Sequence, residues 1–330
     1  MNGRAVVLFS GGLDSMLAVR ILQLQGFVVE ALNIRTSFAC CGKTAAMMAD
    51  YLDCPLNVVT AGEDYLSVIR APEFGYGRGA NPCVDCRIFM FRIARKRMDE
   101  TGADLVASGE VLGQRPNSQG RRDLERIEIR SELEGRLLRP LSAKHLCPTN
   151  SENDGFIRRD LLYGFTGRSR KGLIDLAKSF GFDAAHIPTP STGCMLTEKT
   201  FAPRVYDLLK HQDQDRSWDY ELLKVGRHIR THPHVKVIIG RNAEENTILE
   251  YMARREDREP SALMLPSGFS GPAVLVVGSF TEADVKLAGG LLLRFSATAQ
   301  SAADIILERD GARQMICAEA CAEARAAVTL

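Results

Sequence analysis

Two groups of residues have the types and spacing to do chemistry. The first is Ser10-Gly11-Gly12-Leu13-Asp14-Ser15. Adjacent glycines let backbone approach an anion, and hydroxyls on either side add donors. A helix that begins at the turn contributes N–H groups and its positive dipole end. Phosphate or pyrophosphate suits such a turn. Asp14 would repel phosphate unless a cation lay between them, which points to Mg²⁺. The plainer alternative is an ordinary β–α turn with Asp14 as a helix cap. The spacing is neither that of the Walker loop nor that of the dinucleotide fingerprint.

The second group is made of cysteines. Asn81-Pro82-Cys83-Val84-Asp85-Cys86 places two thiols at C-x-x-C spacing where a helix starts, and Cys194 follows the turn residues Pro190-Ser191-Thr192-Gly193. A helix start favours thiolates. The pair alone leaves open a redox couple, half a zinc site and part of an iron–sulfur cluster, with plain burial as the competing reading. Three cysteines do not close a tetrahedral zinc site. They would leave one iron of a 4Fe–4S cluster without a protein thiolate. Cys54, Cys147, Cys317 and Cys321 lie in apolar or helical contexts and read as core or incidental, and Cys40 and Cys41 read as structural.

The elements that must position these groups are legible in the hydrophobic pattern. Residues 4–9 form a β-branched apolar run, followed by Leu17, Ile21 and Leu24 at helical spacing before Gly26. Strands are predicted at 28–34, 56–60, 104–108 and 137–141, with helices at 43–52, 84–100 and 171–180. Strands alternating with helices predict an α/β fold with a doubly wound parallel sheet, whose ligand sits at the carboxyl ends of the strands. Ser10, Ile34 and Ser108-Gly109-Glu110 would then surround one crevice. The Gly- and Pro-rich stretch from 61 to 82 reads as a functional loop. After Pro203 the texture changes. Strands at 222–225, 235–239 and 273–277 with helices at 243–256 and 282–292 predict a second, smaller α/β domain. We place the domains at 1–205 and 206–330, and read the Ala-rich residues 318–330 as a terminal helix or a fraying tail.

The chain has 330 residues, a formal net charge of +1 and nine cysteines, enough length for one large or two moderate domains. Global charge neither supports nor excludes an RNA partner. The sequence has no leading signal segment and no membrane-spanning apolar run, so a cytoplasmic location and no membrane partner are expected, and structural disulfides are not.

The S-G-G-x-D-S stretch at 10–15 resembles the signature of the PP-loop ATP pyrophosphatases. With Cys83, Cys86 and Cys194 it resembles the PP-loop tRNA thiolation enzymes, of the adenine nucleotide alpha hydrolase-like fold. Residues 81–90, 109–116 and 139–144 are similar to the subgroup labelled tRNA (5-methylaminomethyl-2-thiouridylate) methyltransferase. No S-adenosylmethionine loop supports the word methyltransferase. The resemblance implies ATP split between its α- and β-phosphates, adenylation of a uridine or cytidine carbonyl oxygen, and displacement of AMP by sulfur. It implies ATP held by Leu8, Phe9, Ser10, Gly11, Gly12, Leu13, Asp14, Ser15, Ile34 and Gly109, with Mg²⁺. It also implies a 4Fe–4S cluster on Cys83, Cys86 and Cys194, with Asp14, Cys86 and Cys194 catalytic. Bacterial wobble 2-thiouridylases are similar but carry Asp where this chain has Cys83, and are described as using persulfides at the positions of Cys86 and Cys194. Two departures stand out: Glu110 and Gln114 replace a paired-Asp motif, and Thr192-Gly193-Cys194 replaces Gly-Gly-Cys.

Arg87, Arg92, Arg95, Lys96, Arg97, Arg115, Arg121, Arg122 and Arg168-Ser169-Arg170-Lys171 are candidate contacts for a tRNA backbone. Arg87, Arg115 and Arg139 are candidates for stabilising transition-state charge. In the second domain, residues 226–230 and 240–246 resemble the RNA-binding domain of NFACT-type proteins. His228, His232 and His234 read as surface or RNA-facing. The expected partners are tRNA and a sulfur donor, either sulfide or a cysteine desulfurase, and the second domain could instead serve packing or a homodimer. A PP-loop ligase using another nucleophile and a non-catalytic RNA-binding protein with a vestigial ATP site are the rival functions.

Overall fold

The computed structural model describes residues 3–38, 42–190, 193–298 and 300–330. It divides into two units, Met1–Glu198 and Lys199–Leu330.

In the first unit, strands β1 (Arg4–Leu8), β2 (Val28–Arg35), β3 (Leu56–Thr60), β4 (Leu105–Ser108) and β5 (Leu137–Leu138) pair in parallel in the order β3-β2-β1-β4-β5. The helices are α1 (Leu13–Leu24), α2 (Gly42–Tyr51), α3 (Asp64–Arg70), α4 (Cys83–Thr101), α5 (Arg121–Arg130), α6 (Asn150–Asn153) and α7 (Lys171–Ser179). Alternation along β1 explains both layers. Ala5, Val7 and Phe9 pack with Leu17, Leu22, Met48 and Leu173 of α1, α2 and α7, whereas Val6 and Leu8 pack with Ile88, Phe91, Met98 and Ile127 of α4 and α5. The chain reverses direction of sheet growth between β1 and β4, so their carboxyl ends open the crevice expected of a doubly wound sheet. The expected loop before α4 contains α3, whose Tyr65, Leu66 and Ile69 are buried.

The second unit runs α8 (Ala202–His211), α9 (Ser217–Leu222), β6 (Arg227–His232), β7 (Val235–Ile239), α10 (Ala243–Ala253), β8 (Ser261–Pro266), β9 (Val274–Gly278), α11 (Glu282–Arg294), β10 (Ala302–Arg309), β11 (Ala312–Glu319) and α12 (Ala322–Ala326). Its six strands are all antiparallel, in the order β11-β10-β8-β9-β7-β6. Helix α11 covers one face through Val285, Ala288, Leu291 and Leu292. Trp218, Leu222, Leu249 and Met252 of α9 and α10 cover the other. The strand expected at 222–225 is instead the end of α9 and a turn, because Trp218, Leu222 and Val225 recur at helical spacing and pack together under the sheet. Of the Ala-rich end, only α12 is helical. Among the described residues no helix is long and apolar enough to cross a membrane.

Candidate nucleotide and thiol site

Residues 10–15 form a turn braced from within. Ser15 Oγ donates to the Gly12 carbonyl at 2.8 Å, the Gly12 N–H donates to Ser10 Oγ at 3.3 Å, and the two serine hydroxyls lie 3.5 Å apart. Two glycines let neighbouring backbone close on the turn. Gly11 has φ +76°, and a Cβ there would stand 2.8 Å from the Ala45 backbone of α2. At Gly109, just past β4, a Cβ would stand 2.3 Å from the Asp14 carbonyl. Helix α1 starts at Leu13, so its first turn presents N–H groups with no intrahelical acceptor. The side chains of Leu8, Phe9, Leu13 and Ile34 are all buried. What these four can offer a nucleotide is therefore backbone, and Phe9 already uses its N–H on Leu32 (2.8 Å) and its carbonyl on Asn33 Nδ2 (2.7 Å).

Asp14 is largely buried, and burial raises its carboxyl above the ordinary value; the hydrogen bond from Gln114 Nε2 (3.0 Å) and the charges of Arg170 and Arg115 offset part of the rise. A divalent cation on the carboxylate would supply the missing compensation. Gln114, which stands in place of a second acid, thus holds Asp14 in orientation.

Cys83 opens α4 and Cys86 lies one turn further, with the Cys86 N–H on the Pro82 carbonyl at 2.8 Å. Asp85 fixes the preceding loop by accepting from the N–H groups of Glu73 (2.8 Å) and Phe74 (3.1 Å). The loop in turn meets the Cys194 segment: the Ala80 N–H donates to the Leu196 carbonyl at 2.8 Å, and Thr197 Oγ1 donates to the Cys194 carbonyl at 2.6 Å. Tyr65 Oη donates to Cys86 Sγ at 3.3 Å. Burial raises the Tyr65 phenol well above 10, and charge on Cys86 and Cys194 raises it further, so both sulfurs lie within electrostatic reach of one ring. Burial raises the Cys83 and Cys86 thiols as well. Arg87 and Arg115 lower Cys83, and Tyr65 followed by Arg87 lower Cys86.

Arg115 joins the two groups. Its guanidinium is pushed below its usual pKa by the neighbouring Arg87 charge and by burial, and pulled back by Cys83, Asp14 and Glu110. The same cation therefore acts on the nucleotide turn and on the thiol pair.

Several expectations need correction. Arg139 does not reach toward a substrate. It is 3% exposed, and its guanidinium is consumed by Glu110 (3.0 Å), Glu128 (3.0 Å) and the Leu124 carbonyl (3.1 Å). Arg95, Lys96 and Arg97 pair with carboxylates along and beside α4, and Arg92 donates to the Arg130 carbonyl. His228 is a core residue, 1% exposed, with Nε2 against the Val225 carbonyl, and burial holds its pKa well below 6.5. His232, by contrast, is exposed as expected and pairs with Asp284 at 3.0 Å, and Asn242 caps α10 by accepting from the Glu245 N–H. Among the described residues no group of three His, Cys, Asp or Glu side chains is placed to hold a metal ion. Cys40, Cys41, Ser191 and Thr192 lie outside the described residues.

Two residues of this site are not singled out by the sequence. Tyr65 sits in a short helix hidden in an irregular stretch and gives no signal. Arg170 reads only as part of a basic cluster, and its effect on Asp14 depends on the packing of α7 against α1.

Residues 3–131 match the family model described as the tRNA methyl transferase HUP domain, and residues 226–325 match the NFACT protein RNA binding domain. The tRNA-specific 2-thiouridylase MnmA of Syntrophotalea carbinolica is 35% identical over 121 residues, covering 33% of this chain and 34% of that protein. MnmA of Geotalea uraniireducens is 23% identical over 219 residues, covering 60% and 55%. A solved 4-thiouridine synthetase–RNA complex with bound ATP aligns at TM-score 0.37 and 22% identity, covering 54% of this chain and 41% of that one. The chain thus spans from a third to just over half of these two curated relatives. The resemblance drawn from the motifs is borne out: the first unit is similar to PP-loop tRNA thiolation enzymes. More particularly, these two curated relatives are tRNA-specific 2-thiouridylases, and the second unit is similar to the NFACT protein RNA binding domain over residues 226–325.

Proposed function

We propose that the protein is an ATP-dependent tRNA thiolation enzyme. The observation that carries this reading is the approach of the two groups: Gly109 closes on the Asp14 carbonyl, and the next residue, Glu110, lies 3.6 Å from Arg87, the neighbour of Cys86, with the Arg115 charge acting on both. In this reading the first turn of α1 would hold the phosphates of ATP, Asp14 would hold a Mg²⁺ that supplies neutralising charge, and Arg115 and Arg170 offset charge that develops as pyrophosphate leaves. The target base, lifted from its stack, has a carbonyl oxygen adenylated. Sulfur then attacks the same carbon and AMP departs.

For the sulfur step, the Tyr65 bond to Cys86 favours a persulfide route. A sulfane-sulfur donor charges Cys86, and the terminal persulfide sulfur attacks the activated carbon, breaking its bond to the AMP oxygen. The Cys194 thiolate then attacks the Cys86 sulfur. This releases the thiocarbonyl base and leaves a Cys86–Cys194 disulfide, which an external dithiol reduces. Tyr65 stays protonated and steadies negative charge on Cys86 while it is the thiolate that attacks the sulfane donor. A 4Fe–4S cluster, the alternative sulfur carrier, would draw on the same cysteines.

The test is tRNA-stimulated conversion of ATP to AMP and pyrophosphate by anaerobically purified protein, with iron measured on the same sample. Stimulated AMP formation in an iron-free preparation that also thiolates tRNA supports the persulfide route. Thiolation confined to iron-loaded protein overturns that route, and absence of tRNA-stimulated AMP formation from both preparations overturns the proposed function.

A further inference from the structure

The second unit contains an open basin of about 570 Å³ whose walls include Arg204, Arg227, Arg241, Arg294, Arg325 and Phe295, with residues 326–330 along one side. Among the described residues no acidic side chain lines it. The size is that of a ligand cleft, about 300–1,000 Å³. Five guanidinium groups converge here; burial together with the charge of Arg241 lowers the Arg204 pKa, and Glu245, paired with Arg241, offsets part of the fall.

The arginines are held unequally. Arg241 is paired with Glu245, and Arg294 donates to the carbonyls of Ala324 (2.7 Å) and Ala327 (2.8 Å). Arg204 donates through Nη1 to the Leu223 carbonyl at 3.0 Å, while its Nε is buried with no hydrogen-bond acceptor. Arg227 and Arg294 each lie 5.0 Å from the centroid of the Phe295 ring, which orients both planar groups. Among the described residues neither Arg227 nor Arg325 forms an ion pair.

We propose that this basin grips phosphodiester groups of the RNA substrate, with Arg227 and Arg325 as direct phosphate donors and Arg204 and Arg294 as the rigid wall behind them. Planar guanidiniums match phosphate oxygens in pairs. An open cleft suits a chain of phosphates better than a single enclosed anion. The proposal rests on the tRNA reading above but concerns binding alone, so it is testable without turnover.

The full chain is titrated with unmodified tRNA by fluorescence anisotropy across a range of KCl concentrations. Wild type is compared with Arg227→Gln/Arg325→Gln and with a control that removes one positive charge outside the basin, Arg313→Gln. The double variant is expected to bind about tenfold more weakly near physiological salt, with a salt slope shallower by about 1 for each phosphate no longer neutralised. The control keeps the wild-type slope, and all three keep the same circular dichroism and melting temperature. An unchanged slope in the double variant, or an equal weakening in Arg313→Gln, overturns the basin. So does saturable binding of inorganic phosphate that depends on Arg227 while the RNA slope stays fixed. Failure of wild type to bind tRNA at all overturns both this site and the proposed function.

Discussion

In the proposed reaction the Asp14 carboxylate needs its charge, in surroundings that oppose it. Burial raises its pKa and the Gln114 hydrogen bond brings it part of the way down. Because the deprotonated form would hold Mg²⁺ in the proposed reaction, kcat/KM for tRNA-stimulated pyrophosphate release, which reports the metal-free site, should fall on acidification at a pH above that of an exposed aspartate. Gln114→Leu removes a lowering contact, so its acid limb should move to higher pH, and Asp14→Asn should abolish release. A pH–rate series on the three proteins checks both. At Cys86 the balance has the same sense: burial raises the thiol and the Tyr65 hydrogen bond lowers it. Tyr65→Phe should shift Cys86 alkylation, followed by peptide mass spectrometry, to higher pH. It should also slow sulfur transfer about tenfold, the worth of one hydrogen bond to a charged acceptor. An unshifted alkylation profile would reduce Tyr65 to a packing residue.

The elements that carry these residues differ in how openly the sequence declares them. Strand β1, buried on both faces, and α1, with its apolar recurrence, are readable because burial imposes period on sequence. The approach of β4 to the turn is legible only as a strand followed by Ser108-Gly109-Glu110. That Gly109 must lack a side chain follows from the 2.3 Å clearance to Asp14, a contact between residues far apart in the chain that no local pattern encodes. Gly109→Ala should therefore cost about 1–3 kcal/mol and weaken ATP binding, measured by thermal melting with and without Mg-ATP; an unaffected ATP-induced shift would show that the turn tolerates displacement. Arg139 misleads for a related reason: its type suits catalysis, and only the fold reveals the two carboxylates and the carbonyl that occupy it. Strands β10 and β11 escape the sequence because β11 is largely exposed and loses its alternation.

At the scale of the whole chain, two units of different architecture answer to two different family models, and composition alone marks the change of texture between them. The second unit owes part of its stability to a buried ionic group. Burial pushes Asp207 up, but Arg230 and Lys236 outweigh it and hold the carboxyl at about 2, while burial brings Lys236 down to about 8. A depressed carboxyl stabilises the fold above its unfolded pKa and loses that contribution as pH falls through the folded one, so this share should vanish between about pH 4 and 2. Asp207→Asn should cost about 3–5 kcal/mol near neutrality by leaving Lys236 buried without its acid. Urea melts of the full chain at several pH values would show the variant losing the wild type's acid dependence at this site.

The account stands or falls on whether splitting of ATP and transfer of sulfur are one coupled event at the Arg115 crevice. The direct measurement supplies anaerobic protein with Mg-ATP, unmodified tRNA and an isotopically labelled sulfane donor, then counts AMP and labelled nucleoside by mass spectrometry. The account predicts one labelled sulfur per AMP in wild type, and continued AMP formation without sulfur in Cys86→Ser. Label entering tRNA through Cys86→Ser, or AMP released by wild type with no sulfur in the tRNA, would contradict it.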